Sequence, residues 1–196
     1  MAKRTCKHCG DPIEGITFGR TPTYCSGRCR TAAYRQRRTE HLPARIHELD
    51  RWTAADGKRP VTPEGSPASS TDATTWRSYA EVKDHDHGVM LGGGLACIDL
   101  DGCLSPRGKL APWAEEIIRA APGAVVERSV SKRGLHVFGL LPETKGTRAG
   151  SAEIYSRARF IRTTEDIYRP GTLVDLAPAV ARIRALHRAG AIPDHT

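Results

Sequence analysis

The chain has 196 residues, with 30 Lys+Arg against 22 Asp+Glu for a formal charge of +8. That length holds one ordinary domain plus a small module and excludes a large multidomain machine. No apolar run approaches the roughly 20 residues a membrane helix requires, and no apolar stretch follows the basic opening MAKRTCKHCG, so neither a membrane span nor a secretory signal is expected. The six cysteines are then expected in a reducing cytoplasm, where disulfides are the less common use of them.

The excess charge is concentrated at the start. Residues 1–38 carry nine Lys+Arg and two Asp+Glu, a net of +7, whereas the remainder carries 21 against 20. A local cationic concentration of this kind favours polyanions, of which nucleic acid is the commonest. Within it, Cys6, Cys9, Cys25 and Cys29 are spaced C-x2-C-x15-C-x3-C. Two close thiolate pairs joined by a short loop can converge on one Zn²⁺ with tetrahedral geometry, and Gly10 suits the tight turn after the first pair. His8 lies between the first two cysteines and leaves a Cys3His set as the alternative. The segment CRTAAYRQRR follows. Helical spacing spreads Arg28, Arg30, Arg35, Arg37 and Arg38 over one half of the circumference and puts Ala32 and Ala33 on the other. Tyr34 stands among the charges as a stacking surface for bases. The bland alternative is a solvated charged face that keeps the module soluble. YCSGRCRTAAYRQRR also resembles the short treble-clef-type zinc modules at the start of many phage and actinobacterial proteins, a likeness that implies nucleic-acid contact.

Residues 39–56 are polar and charged, and read as a continuation of the arginine-rich helix, broken at Pro43, up to a turn at Asp56-Gly57. The division between two domains falls in this stretch: 1–41 as a zinc-binding basic module, 42–196 as the larger domain. Residues 57–75 read as a long Pro-, Ser- and Thr-rich loop, too long for a mere connector. A short helix is expected from Thr71-Asp72 through Trp76 and Tyr79. Residues 88–91 and 95–100 flank three glycines and read as a hairpin with a glycine turn. A helix is expected over 111–121, stopping at Pro122-Gly123. Strands follow over 124–131, 135–141, 152–156 and 159–163, then a last helix over 177–189. Runs of strands with few helices predict an α+β domain with a largely antiparallel sheet and flanking helices.

The chemistry-bearing residues fall on these strands. In L-A-C-I-D-L-D, alternation turns Ile98 and Leu100 to one side and Asp99 and Asp101 to the other. Paired carboxylates offer the hard oxygen ligands that suit Mg²⁺ or Mn²⁺; a lone D-x-D also occurs as two solvated side chains at a strand end. His136 sits on the strand after the basic turn Lys132-Arg133-Gly134 and shares a surface with Phe138. It reads either as a phosphate contact or as a satisfied edge histidine. Glu153 alternates with Ile154, and Arg157 and Arg159 follow.

Taken in order, the pieces KRPVTPEGSPASSTDATTWRSYAEV, GVMLGGGLACIDLD, ERSVSKRGLHVFG and AEIYSRARFIRTT resemble the catalytic domain of the archaeo-eukaryotic primase superfamily, in its phage and plasmid primase-polymerase branch. The likeness runs over residues 51–164. It implies a primase-polymerase core with RRM-like elements and a DNA-dependent primase or polymerase making short primers by two-metal nucleotidyl transfer. It further implies Asp99, Asp101 and Glu153 as ligands of Mg²⁺ or Mn²⁺, and His136 as a contact to the incoming nucleotide's phosphates. Arg159 falls beside the triphosphate. Lys58 and Arg59 lie in a loop that closes over the nucleotide, and Lys132 and Arg133 help orient it. The zinc module is then expected to hold single-stranded DNA template. Nucleoside triphosphates are the substrates, a replicative helicase from another chain is a possible partner, and a bacterial host cytoplasm is the compartment of a phage-encoded protein. Two positions depart from the usual pattern. Lys132 stands where relatives read Gly in S-P-S-G, and Glu165 where they read Gly in T-G. These departures keep open a catalytically degenerate, zinc-dependent DNA-binding adaptor. Similar carboxylate and histidine chemistry also keeps open a metal-dependent nuclease, with Tyr155 beside Glu153.

Four further features read as structural. The run Asp84-His85-Asp86-His87 is a solvated turn. The stretch from Pro106 to Leu110 fails as a phosphate-binding loop, because Leu110 stands where Ser or Thr must bind Mg²⁺. Cys97 and Cys103 are packing residues, and Trp52, Trp76 and Trp113 are core anchors.

Overall fold

The computed structural model describes residues 5–13, 22–39 and 41–194, without the side chains of 34–39. The chain divides into two compact units, Met1–His41 and Leu42–Thr196.

In the first unit the chain doubles back after Cys6. The Cys6 amide donates to the Asp11 carbonyl and the Gly10 amide to the Cys6 carbonyl, while the Lys7 amide reaches the Thr23 carbonyl. Gly10 takes a φ of 79°, which a side chain would resist. Helix α1 (Gly27–Thr39) begins behind Ser26, whose hydroxyl accepts the Cys29 amide at 3.1 Å. This bond satisfies an amide that the first helical turn leaves without a backbone partner. Ala33 is buried, whereas Arg28 and Arg30 are exposed.

The second unit opens with α2 (Ala44–His47), a single turn behind Pro43. The expected continuation of one helix through 39–56 is therefore not found. Proline lacks the amide that continuing the helix needs, and the chain then extends as β1 (Trp52–Asp56). The turn at Asp56-Gly57 leads into β2 (Arg59–Val61), so the loop expected over 57–75 contains a strand. The helix expected from Thr71 through Tyr79 is broken in two. A 3-10 turn (Ala73–Thr75), capped by Asp72, stops because the Arg77 amide and carbonyl pair with Trp52. The chain restarts at Ser78, which forms a reciprocal cap with Glu81 ahead of α3 (Tyr79–Val82).

The next two strands, β3 (His87–Met90) and β4 (Leu95–Leu100), are not the expected hairpin. β3 pairs with β1, whereas β4 belongs to another sheet. Gly92, Gly93 and Gly94 have φ of 136°, 62° and 91°, conformations open to glycine at little cost. They turn the chain out of one sheet and into the next. Helix α4 (Pro112–Arg119) follows, then β5 (Val125–Arg128), β6 (Leu135–Leu140), β7 (Thr147–Ala149), β8 (Ala152–Tyr155), β9 (Phe160–Arg162), β10 (Ile167–Arg169) and α5 (Ala177–Arg188). The sheets run β2-β1-β3-β9 and β10-β5-β6-β4-β8-β7, with every ladder antiparallel among the described residues. The class is α+β, as expected. Strands β1, β2, β7 and β10 are additions to the expectation. They are short, three to five residues; β2 and β7 are edge strands held by local hairpins with β1 and β8, whereas β1 and β10 also pair with the distant strands β3 and β5.

Alternation along the central strands builds two cores. Ile98, Leu100, Val126, Val137 and Ile154 face α4 and α5 and bury Trp113, Ile117, Ile118 and Ile183. Cys97, Val125 and Phe138 face the other way, against Trp52, Val89 and Ile161 of the four-stranded sheet. Cys97 and Cys103 are buried packing residues, and Trp52 is fully buried with its indole N–H on the Ile46 carbonyl. The run 84–87 is more than a solvated turn. The imidazole of His87 packs edge-on against Trp52 and Tyr79, and Asp86 pairs with Arg162 at 2.7 Å.

Candidate functional site

Two groups of metal-ligating side chains occur among the described residues, one in each unit. In the first, the sulfurs of Cys6, Cys9, Cys25 and Cys29 all lie within 4.8 Å of one another. The Cys9–Cys25, Cys25–Cys29 and Cys9–Cys29 separations are 3.6, 3.4 and 3.8 Å. Four thiolates at about 2.3 Å from one zinc form a tetrahedron with edges of about 3.8 Å, whereas a disulfide closes to about 2.05 Å. The spacing fits the ion and excludes a bond between the sulfurs. Backbone N–H groups of Cys9, Cys25 and His8 turn toward the Cys6 sulfur and lower its thiol to about 6, whereas the thiols of Cys9 and Cys25 are raised; a bound cation is what favours the thiolate on all of them. His8 is not in the group.

The second group is Asp99, Asp101 and Glu153, whose carboxylate oxygens likewise lie within 4.8 Å of one another. Their convergence follows from register. Asp99 on β4 is paired with His136 on β6 and with Glu153 on β8. Glu127 on β5 is in turn paired with His136, and Arg148 on β7 with Glu153. One polar row thus crosses five neighbouring strands, on the face turned toward the four-stranded sheet. Residues directly opposite on antiparallel strands have Cβ atoms about 4.5–5.5 Å apart, which brings these side chains into contact.

The row is unusually buried. Glu127 is fully inaccessible, and Glu153 and His136 are 3% and 6% exposed. Burial raises the Asp99 carboxyl above its ordinary range and the charge of Asp101 adds to it, against the pull of His136, Arg159 and Lys58. A carboxylate whose ionisation is opposed by burial and by a neighbouring anion is relieved by a cation. Asp99 Oδ1 is buried without a hydrogen-bond partner. The Arg148 guanidinium meets Glu153 Oε1, and the Tyr155 hydroxyl donates to Glu153 Oε2 at 2.5 Å. An orphaned buried oxygen within a cluster of hard donors fits a divalent cation such as Mg²⁺ or Mn²⁺.

Sequence reasoning missed Glu127. Its Oε1 accepts from His136 Nδ1 at 2.9 Å, and its Oε2 accepts the backbone amides of Thr164 and Glu165 at 3.2 and 3.0 Å. The ring's other nitrogen, Nε2, lies 3.9 Å from Asp99 Oδ1. Burial works against a charged imidazole, but Glu127, with Asp99 and Asp101, outweighs it and raises His136 above its ordinary value. The available signal was a charged residue at the end of the apolar run A-V-V, on a strand next to that of His136.

Asp99, Asp101 and His136 line a cleft of about 460 Å³, in the size range of small-molecule sites. Lys58, Arg159 and Arg162 bring positive charge to it, and Pro60, Ala68 and Phe160 give it an apolar side. Arg159 lies over the Tyr155 ring at 4.3 Å. The other expected nucleotide contacts are engaged elsewhere. Arg59 pairs with exposed Asp56, Lys132 with Asp166, and Arg133 Nε donates to the Leu104 carbonyl. Of the expected DNA contacts, Arg28 and Arg30 are exposed on α1, and the side chains of Tyr34, Arg35, Arg37 and Arg38 lie outside the described residues. At both departures from the usual pattern the backbone keeps the conformation glycine favours, with φ of 58° at Lys132 and 54° at Glu165. The Glu165 carboxylate turns to Tyr79 and His47, at 2.6 and 3.2 Å, and does not line the cleft.

A family model, the N-terminal domain of bifunctional DNA primase/polymerases, matches residues 31–188. The chain belongs to this family. It is accordingly a nucleotidyltransferase of the DNA primase/polymerase kind, and a domain of that kind binds single-stranded DNA and nucleotides. None of the curated proteins compared with it matches. Among the described residues no helix is long and apolar enough to cross a membrane.

Proposed function

We propose that the chain synthesises short primers on single-stranded DNA, with the cleft beside Asp99, Asp101 and Glu153 as the site of nucleotidyl transfer. The observation that carries this reading is the three carboxylates within 4.8 Å of one another, of which Asp99 and Asp101 line a cleft with His136, Lys58 and Arg159. When bound there, two Mg²⁺ or Mn²⁺ supply the charge that lowers the pKa of the attacking 3′-hydroxyl and neutralises the departing pyrophosphate. Asp99, Asp101 and Glu153 hold that charge in place. His136 Nε2, with Lys58 and Arg159, orients the triphosphate, so the protein's own part is positioning and electrostatic complementarity. Lys132 and Arg133 shape the turn ahead of His136 rather than meeting the nucleotide, and Arg59 stays at the rim.

The cysteine unit holds one structural zinc through Cys6, Cys9, Cys25 and Cys29. Its helix presents Arg28 and Arg30 to template phosphates. The test is primer synthesis on single-stranded templates with Mg²⁺ or Mn²⁺ and all eight ribo- and deoxynucleoside triphosphates, beside an Asp99→Ala/Asp101→Ala control. Products that vanish in the control support the reading. DNA binding without product favours the adaptor, and cleaved template favours the nuclease.

A further inference from the structure

We propose that Glu127 is the positioning residue of this site: it fixes the ring of His136 and keeps hydrogen on its Nδ1. The inference rests on the role given to His136 above and adds a residue to it. Three observations lead to it. Glu127 is fully buried, a position a carboxylate occupies only when its oxygens are matched by donors. Its two oxygens meet three donors: His136 Nδ1 at Oε1, and the amides of Thr164 and Glu165 at Oε2. Its register partner is His136 itself, whose other neighbour across the sheet is Asp99. Because an ionised carboxylate only accepts, Nδ1 must carry hydrogen. Nε2 is then the nitrogen left toward Asp99 and the cleft. The same carboxylate ties the Thr164-Glu165 turn to the ring, so the ring is held from β5 and from the segment that follows β9.

The arrangement makes a sharp statement about Glu127→Gln. The two backbone amides can only donate, so the Gln oxygen must face them, and its NH₂ is left facing His136 Nδ1. That nitrogen must then accept, so Nδ1 gives up its hydrogen and Nε2 is the nitrogen that carries one. Glu127→Gln is nearly isosteric and spares the packing that Glu127→Ala would empty.

The decisive experiment is a ¹⁵N–¹H spectrum of the histidine rings of the full chain, with the His136 signals assigned by their loss in His136→Ala. Wild type is expected to show a protonated Nδ1, and Glu127→Gln an unprotonated one. A kinetic arm accompanies it. Partners that orient a metal-ligating histidine from behind are typically worth about 10–100-fold, and Glu127 holds His136 in the same manner. Glu127→Gln is therefore expected to lower kcat/KM for the incoming nucleotide by 10-fold or more, with unchanged affinity for single-stranded DNA. In the His136→Ala background the same substitution is expected to have no further effect, because Glu127 acts through the ring. An unchanged Nδ1 proton in Glu127→Gln, or an equal additional loss in the His136→Ala background, would overturn the proposal. The spectrum needs no turnover, so absence of primer synthesis in wild type would remove the proposed function and leave this test standing.

Discussion

Ala158 and Glu165 form a matched pair of perturbations. Both hold a left-handed backbone, with φ of 50° and 54°, which costs an L-residue about 1–2 kcal/mol. Replacing either with glycine releases that strain, offset by the roughly 0.5–1 kcal/mol that glycine loses in chain entropy. For Ala158→Gly only an exposed methyl disappears, so a net gain of about 0.5–1 kcal/mol is expected. Glu165→Gly makes the same backbone exchange but removes the acceptor of the Tyr79 hydroxyl and His47. A hydrogen bond to a charged group contributes about 1.5–3 kcal/mol. The backbone contributions cancel between the two variants, so the gap between them measures the carboxylate: about 1.5–3 kcal/mol, with Glu165→Gly the less stable. Urea unfolding followed by tryptophan fluorescence reads it directly, since Trp52, Trp76 and Trp113 all belong to the second unit. A destabilised Ala158→Gly, or a gap below about 1 kcal/mol, would refute the reasoning.

Zinc is expected to bind at one ion per chain. Stripping it with a chelator, or Cys25→Ser, is expected to melt the first unit, seen as lost helical circular dichroism, while the tryptophan-reported unfolding of the second unit stays put. The pKa of His87 is raised above 6.5: burial lowers it, and Glu165 outweighs burial. Its contribution is therefore full below about pH 6.5 and fades as pH rises through the higher folded value. Urea midpoints of wild type are expected to lose that increment on going to alkaline pH, and those of Glu165→Gln are expected not to show it. Binding of single-stranded DNA is expected to weaken linearly in log–log salt plots. Arg28→Ala/Arg30→Ala should reduce that slope by about 0.7 for each phosphate no longer neutralised; an unchanged slope would remove α1 from the DNA surface.

What was legible in the sequence was what lies close along the chain. The cysteine spacing and the alternation in L-A-C-I-D-L-D are local patterns, and the structure brings Asp99 and Asp101 to one face as alternation requires. What escaped depends on pairing between distant segments. Glu127 gains its meaning only from lying across from His136. The glycines at 92–94 look the same in a hairpin turn as in a crossover between sheets, and β1 is recognisable only once β2 and β3 flank it. The basic turn is a further case: Lys132 and Arg133 carry charge that the sequence shows, whereas their pairing with Asp166 and the Leu104 carbonyl depends on segments far along the chain.

The most direct test of the account is template-dependent primer synthesis by zinc-loaded protein with Mn²⁺ or Mg²⁺, compared between wild type and Asp99→Ala/Asp101→Ala. The account predicts short products with wild type, their loss in the double variant, and DNA binding retained by both. Products of equal yield from the double variant would contradict it, as would folded wild type that binds DNA and nucleotide and makes none.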